Sequence, residues 1–174
     1  MEKKSKIPDN AVVLLVGVSG SGKSTFAKKA FENKALVVSS DECRKELCGD
    51  EMEQSVNIKA FELFYKKIEE GIAQGKRVIA DATNLDKYSR ELIYDIAKRN
   101  NVPIYAIMVN VNLQVIKKQN KMRSRVVPDY AIDRMFKKMK IAYNEICEEV
   151  PSENIIDIII PSEIKPRNKS HVSR

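Results

Sequence analysis

Tryptophan is absent from this sequence of 174 residues, and aromatic residues make up only 6% of it. So few rings exclude an obvious platform on which nucleic-acid bases could stack. Cysteine is scarce as well: Cys43, Cys48 and Cys147 are odd in number and form no CxxC pair. That excludes a disulfide scaffold and a thiolate metal cluster, and fits reduced thiols. Cys147 falls in an apolar helical pattern and is expected in the core, whereas Cys43 reads as a bystander thiol. Long apolar runs are missing too. The longest, Ala11 to Val16, is far short of the ~20 residues of a spanning helix, and the N-terminus lacks the apolar stretch of a signal peptide. Neither membrane insertion nor export is indicated, and a cytoplasmic location is the expectation.

What is present, 43% hydrophobic and 32% charged residues with a net charge of +7, describes one soluble globular domain. The charge is uneven. Residues 117 to 140 carry nine basic side chains against Asp129 and Asp133, and the end of the chain carries Lys165, Arg167, Lys169 and Arg174 against Glu163. Residues 41 to 53 are acidic, with six carboxylates against Arg44 and Lys45. Many of the lysines fit a solvated helix face equally well.

Apolar runs that suit buried parallel strands alternate with amphipathic segments. Strands are expected at Ala11 to Val16, Ala35 to Ser39, Arg77 to Ala80, Ile104 to Val109 and Ile155 to Ile160. One helix is expected from about Ser55 to Gln74, with Ile58, Phe61, Tyr65, Ile68 and Ile72 on its apolar face and Gly75 as its stop. A second carries Leu92, Ile93, Ile96 and Ala97, and a third carries Ile132, Met135, Met139, Tyr143 and Ile146 after Pro128 as its first residue. The rhythm predicts an α/β fold of three layers around a mostly parallel five-stranded sheet, with ligands at the carboxyl ends of the strands. Residues 10–161 form the single domain, 1–9 and 162–174 flexible ends.

Chemistry is therefore sought just after each strand. Gly17-Val-Ser19-Gly20-Ser21-Gly22-Lys23-Ser24 matches G-x-x-x-x-G-K-[ST] between a strand and a helix. In this P-loop, glycines let successive N–H groups point at phosphate oxygens, Lys23 reaches the β and γ phosphates and the Ser24 hydroxyl ligates Mg²⁺. The expected ATP contacts are Gly17, Ser19, Gly20, Ser21, Gly22, Lys23, Ser24 and Thr25. Asp41, after the second strand, is placed to take the proton of a hydroxyl attacking the γ phosphate, and Arg44, one helical turn on, to hold an acceptor phosphate. The structural alternative is a helix-capping Asp41. Asp81 ends the third strand, where a carboxylate can orient Mg²⁺ through water and border the acceptor, or serve only a turn. Arg123 and Arg125, in a segment at about 119–128 between two helices, suggest a lid that closes on the donor phosphates, with Arg123 preferred as the catalytic arginine.

Together these residues resemble the 5′-kinase of phage and bacterial polynucleotide kinases, within the small P-loop phosphotransferases, over most of the chain. Val16 to Ala27 looks like that family's P-loop, Ser39-Ser-Asp41-Glu-Cys-Arg44 like its base and acceptor segment, and Asp50 to Ser55 like the stretch that follows. The resemblance implies a P-loop NTPase kinase fold with a helical lid, ATP as donor with Mg²⁺, and nucleic acid 5′ ends as acceptor. It also implies Asp41 as general base, Arg44 on the acceptor phosphate and Arg123 on the donor phosphates. Where close bacterial relatives carry one more lid arginine, this chain has Gln119. The fused phosphatase and ligase domains are not expected at this length, which leaves room for a homo-oligomer or a separate repair or ligase partner. The rival readings are a small-molecule kinase, with a nucleoside, sugar or sugar-nucleotide acceptor, and a non-catalytic nucleotide-dependent binding module.

Overall fold

Five parallel strands in the order β2-β3-β1-β4-β5 form the sheet in the computed structural model, which describes residues 7–48 and 56–160. The Asp50 to Ser55 segment and the basic tail at 162–174 lie outside the described residues. Strand β1 (Val12–Val16) is central and buried along its whole length, which its unbroken Val/Leu run requires, since no face of it meets water. Helix α1 (Lys23–Phe31) leads to β2 (Leu36–Ser39). Helices α2 (Ser40–Cys48) and α3 (Asn57–Ala73) lead to β3 (Val78–Asp81), and α4 (Lys87–Arg99) to β4 (Ile104–Val111). Helices α5 (Leu113–Lys121) and α6 (Asp129–Glu149), with a short turn at Ser152–Asn154, lead to β5 (Ile155–Ile160). β1 feeds β2 and β3 on one side while β4 and β5 lie on the other. The crevice at its carboxyl end is thus a topological switch point, where such sheets bind ligands.

Helix ends follow local chemistry. Asp86 caps α4 by accepting from the Tyr88 N–H at 3.0 Å, and Asn112 caps α5 by accepting from Gln114 at 2.9 Å. Gly75, at φ 72°, ends α3 as expected, since it takes the left-handed conformation at no steric cost.

Several expectations shift by a residue or a face. Pro128 stands just outside α6 as its cap, at ψ 142°, because the residue before a helix keeps an extended backbone. Strand β4 runs on to Val111, two residues past its expected end at Val109. Ile58 is 78% exposed, because the buried stripe of α3 runs through Ala60, Phe64, Ile68 and Gly71, on the opposite side of the helix. A Cβ on Gly71 would sit 2.7 Å from Leu36 and 2.8 Å from Val78, so small residues let α3 approach the sheet. Cys147 is exposed rather than core, since the stripe of α6 is made by Ile132, Met139, Ala142 and Ile146. Residues 7–9, read as part of a flexible end, are tied to Arg77, which donates to the Pro8 carbonyl at 2.9 Å and to Asp9 at 2.6 Å.

One polar network crosses the helical layer. Arg90 on α4 is wholly buried and pairs with Glu145 and with Glu149 (3.0 Å) on α6, while the Tyr94 hydroxyl donates to Glu149 at 2.6 Å. Burial opposes the charge of Glu149, yet the bonds from Arg90 and Tyr94 outweigh it and hold the carboxyl below its ordinary range. Burial and the same carboxylate push the Tyr94 phenol up.

Candidate active site

The network ends at the sheet crevice. Arg90 also donates to the Asn84 carbonyl at 3.2 Å, and the Asn84 amide donates to Leu15 (2.7 Å) and Ala80 (3.1 Å). Asn84 manages both at φ 51°, a left-handed conformation that Asn tolerates better than other side chains. The neighbouring Thr83 carbonyl accepts from Gly17 N–H at 3.1 Å. The segment after β3 therefore holds the start of the loop after β1.

That loop turns through Gly20 and Gly22, at φ 86° and 84°, conformations that only glycine adopts freely. Gly20 also passes so close to α5 that a Cβ there would meet the Ile116 carbonyl at 3.2 Å. Gly22 is the cap of α1, so the free N–H groups and the positive end of that helix face the crevice. Lys23 is 8% exposed and Asp81 5%. Burial lowers the Lys23 ammonium, and Asp81, then Asp41, partly restore it against the pull of Arg123. Burial raises the Asp81 carboxyl, offset by Lys23 and by a bond to the Ser24 hydroxyl.

A cleft of about 580 Å³ opens over this loop, lined by 20–26, Lys29, Gln119 and Arg123. Gly17, Ser19 and Arg125 lie outside that lining. Three buried atoms have no hydrogen-bond partner among the described residues: Ser21 Oγ, Gln119 Oε1 and Arg123 Nη1. Buried polar atoms are nearly always paired, so the two of these that can donate, Ser21 Oγ and Arg123 Nη1, together with Lys23 and a helix N-terminus, fit a bound triphosphate, whereas Gln119 Oε1 can only accept. Ser24 and Asp81, an oxygen donor bonded to a carboxylate, fit a hard cation such as Mg²⁺. A larger apolar groove of about 980 Å³, between α5, α6 and the ends of β4 and β5, holds none of the expected ATP contacts, Asp41, Arg44 or Arg123.

The facing wall is built by α2. Ser39 takes the capping role, its hydroxyl accepting from Glu42 N–H at 3.3 Å. Asp41 is thereby left for other partners, and it pairs with Arg44 one turn on. Arg44, 6% exposed, also donates to Asn57 at 3.2 and 3.1 Å and lies 6.0 Å from the Phe61 ring. From the loop between α5 and α6, Arg125 donates to Asp41 Oδ1 at 2.6 Å and Arg123 stands 3.6 Å from Oδ2. The segment expected as a helical lid at about 119–128 is an irregular loop over 122–128, because α5 runs on to Lys121 and α6 starts only at Asp129. Asn120 closes its neck, donating to the Val127 carbonyl at 2.7 Å and accepting from Val127 N–H at 3.0 Å.

The structure thus brings Lys23, Ser24, Asp81, Arg123, Asp41 and Arg44 together, and turns Arg125 to Asp41 instead of the P-loop cleft. Asn57, Asn84, Arg90 and Asn120 were not legible as site-shaping residues. Only the positive φ at Asn84 carries a signal in residue type, since Asn favours that conformation.

The fold and the site define a P-loop kinase-type domain of the α/β class. The AAA domain family model matches residues 12–145, and the chain belongs to that family. It is 28% identical over 144 residues to a protein of Acanthamoeba polyphaga mimivirus named as a bifunctional polynucleotide phosphatase/kinase, covering 81% of this chain and 30% of that one. The chain therefore spans less than a third of that relative's length. Among solved structures it is similar to a chain of the Pnkp1/Rnl/Hen1 RNA repair complex, with a TM-score of 0.69 at 20% identity over 83% of this chain and 49% of the other. It is also similar to a gluconokinase from Sinorhizobium meliloti 1021, with a TM-score of 0.59 at 15% identity over 88% and 85%. At such identities these likenesses concern the fold.

Proposed function

We propose that the protein is an ATP- and Mg²⁺-dependent kinase that transfers the γ-phosphate to the 5′-hydroxyl end of DNA or RNA. The observation that supports the reading is the meeting of Asp41 and Arg44 with Arg123, which also lines the cleft that holds Lys23. A nucleotide-dependent binding module has no use for a carboxylate ringed by phosphate-binding arginines.

In this reading the N–H groups around Gly20 to Ser24 and the Lys23 ammonium hold the donor phosphates. Ser24 would hold Mg²⁺, with Asp81 acting through water, and the metal supplies charge neutralisation at the β and γ phosphates. Asp41 accepts the proton of the 5′-hydroxyl as its oxygen bonds to the γ phosphorus. The bond from that phosphorus to the bridging oxygen of ADP breaks, and ADP leaves with the electron pair. Arg44 holds the acceptor phosphate, and Arg123 stabilises the charge of the transferring group, a role worth on the order of 10³ to 10⁵ in rate.

A polyanionic acceptor is favoured by the basic stretch 117 to 140 and by the mimivirus relative's name. The chain in the RNA repair complex suggests that separate ligase or repair proteins complete the pathway. The test is incubation with Mg²⁺, γ-labelled ATP and a 5′-hydroxyl oligonucleotide, beside the same strand already phosphorylated and an Asp41→Asn variant. Label on the 5′-hydroxyl strand alone, lost in the variant, is the expected result. No label on any DNA or RNA end would refute it.

A small-molecule kinase is the second reading, favoured by the likeness to a gluconokinase over most of both chains. Its turnover would be nearly indifferent to salt, whereas capture of a polynucleotide weakens steeply as salt rises.

A further inference from the structure

We infer that Arg125 belongs to the acceptor site and binds the backbone phosphate of the strand to be phosphorylated, while Asp41 fills its place when no strand is bound. The inference rests on the function proposed above.

The two arginines of this short loop share Asp41, Arg125 at Oδ1 and Arg123 at 3.6 Å from Oδ2, but differ in what else they face. Asn120 is wholly buried and grips Val127 by two hydrogen bonds, so both ends of the loop are fixed. Only Arg123 also faces the P-loop. Arg123 lines the P-loop cleft with its Nη1 buried and unpartnered among the described residues. Arg125 lies outside that lining, and its Nη1 donates to Asp41 Oδ1 at 2.6 Å. Val127, only two residues further on, is the residue Asn120 holds.

On the far side, Arg44 pairs with that same oxygen. Two guanidinium groups from opposite walls thus converge on one carboxylate oxygen, with side-chain exposures of 7% and 19% against 30% for Asp41. A phosphodiester offers the same chemistry to such a fork, a shared negative charge on two non-bridging oxygens. When a strand enters, its phosphate takes the bonds that Asp41 accepts in the free enzyme. Oδ1 is then open to the hydroxyl proton beside Oδ2, which Arg123 approaches only to 3.6 Å. Binding of the acceptor and release of the base become one event, carried by Arg125 as an acceptor-binding residue.

The experiment measures two affinities in the full chain carrying Arg125→Ala, Arg125→Lys or Arg123→Ala. One is binding of a fluorescent ATP analogue, and the other is the KM for a 5′-hydroxyl oligonucleotide at saturating ATP. Arg125→Ala should raise the oligonucleotide KM about 10- to 100-fold, the loss expected for a charge-assisted hydrogen bond, with nucleotide affinity within about threefold. Arg125→Lys should recover part of that loss. Arg123→Ala should show the opposite pattern, a fall in kcat and weaker nucleotide binding. An active Arg125→Ala enzyme with unchanged oligonucleotide KM, or with the loss on the nucleotide side, overturns the inference alone. A wild-type protein that labels no 5′-hydroxyl end overturns the proposed function and this inference with it.

Discussion

Replacing Arg90 by Met tests whether a buried ionic network holds the helical layer against the crevice. Arg90 is fully buried, while Glu149 and Glu145 are 14% and 32% exposed and cannot both turn to water without moving α6. Removing one partner of a buried ion pair costs about 3–5 kcal/mol, because the remaining charge stays desolvated. For a domain of this size each kcal/mol lowers Tm by about 2–4 °C, so the expected fall is about 6–20 °C by calorimetry. Replacing Arg90, Glu145 and Glu149 together by Met, Leu and Met should recover most of the loss, since no charge is then left unpaired. The network also has two pH limits. Glu149 is held below its ordinary value of 4.5, so its contribution is present above that pH and is lost as pH falls through the folded value. Tyr94 is held above its ordinary value of 10, so its contribution is present below pH 10 and is lost as pH rises through the folded value. Glu149→Gln should therefore flatten the acid limb of Tm against pH, and Tyr94→Phe the alkaline limb. A fall of less than about 2 °C for Arg90→Met, on the same scaling, would refute the argument.

Two further outcomes follow from the geometry. Asn84→Gly keeps the backbone conformation but loses the bonds to Leu15 and Ala80, at a cost of about 1–3 kcal/mol. Asn84→Ala should cost about 1–2 kcal/mol more, because a Cβ strains φ 51°, and urea unfolding would expose the idea as wrong if the two variants were equally stable. In a Cys48→Ser background, Ellman's reagent should label Cys147 at once and Cys43 only as the protein unfolds. Cys43 is 1% exposed and burial pushes its thiol up, whereas Cys147 is exposed. Two fast thiols would contradict the packing of α2.

How far the sequence went on its own depended on the range of the interaction. The continuous Val/Leu run of β1 could only be a strand covered on both faces, and the glycines of 17–22 could only serve a turn whose N–H groups converge on an anion. Both are local: spacing and residue type determine them before any tertiary contact forms. The carboxyl-end rule for parallel sheets then brought Asp41 and Asp81 to one edge. The helix faces were less legible, because large apolar side chains drew the stripe of α3 through Ile58 while Ala60 and Gly71 make the approach to the sheet. Cys147 was misplaced for the same reason.

Only the folded chain decided which charges meet. Arg44 and Asp41 are neighbours on one helix, but Arg125 reaches Asp41 across 84 residues of sequence. Arg90 joins α4 to α6 over a separation of 59. Nothing in local spacing assigns such partners, since a charged side chain pairs with whatever desolvated charge the packing brings within about 3 Å. The direction of each lid arginine belongs to the same class of fact. The loop that carries them is closed by two hydrogen bonds between Asn120 and Val127, and Gly20 of the P-loop packs against Asn120.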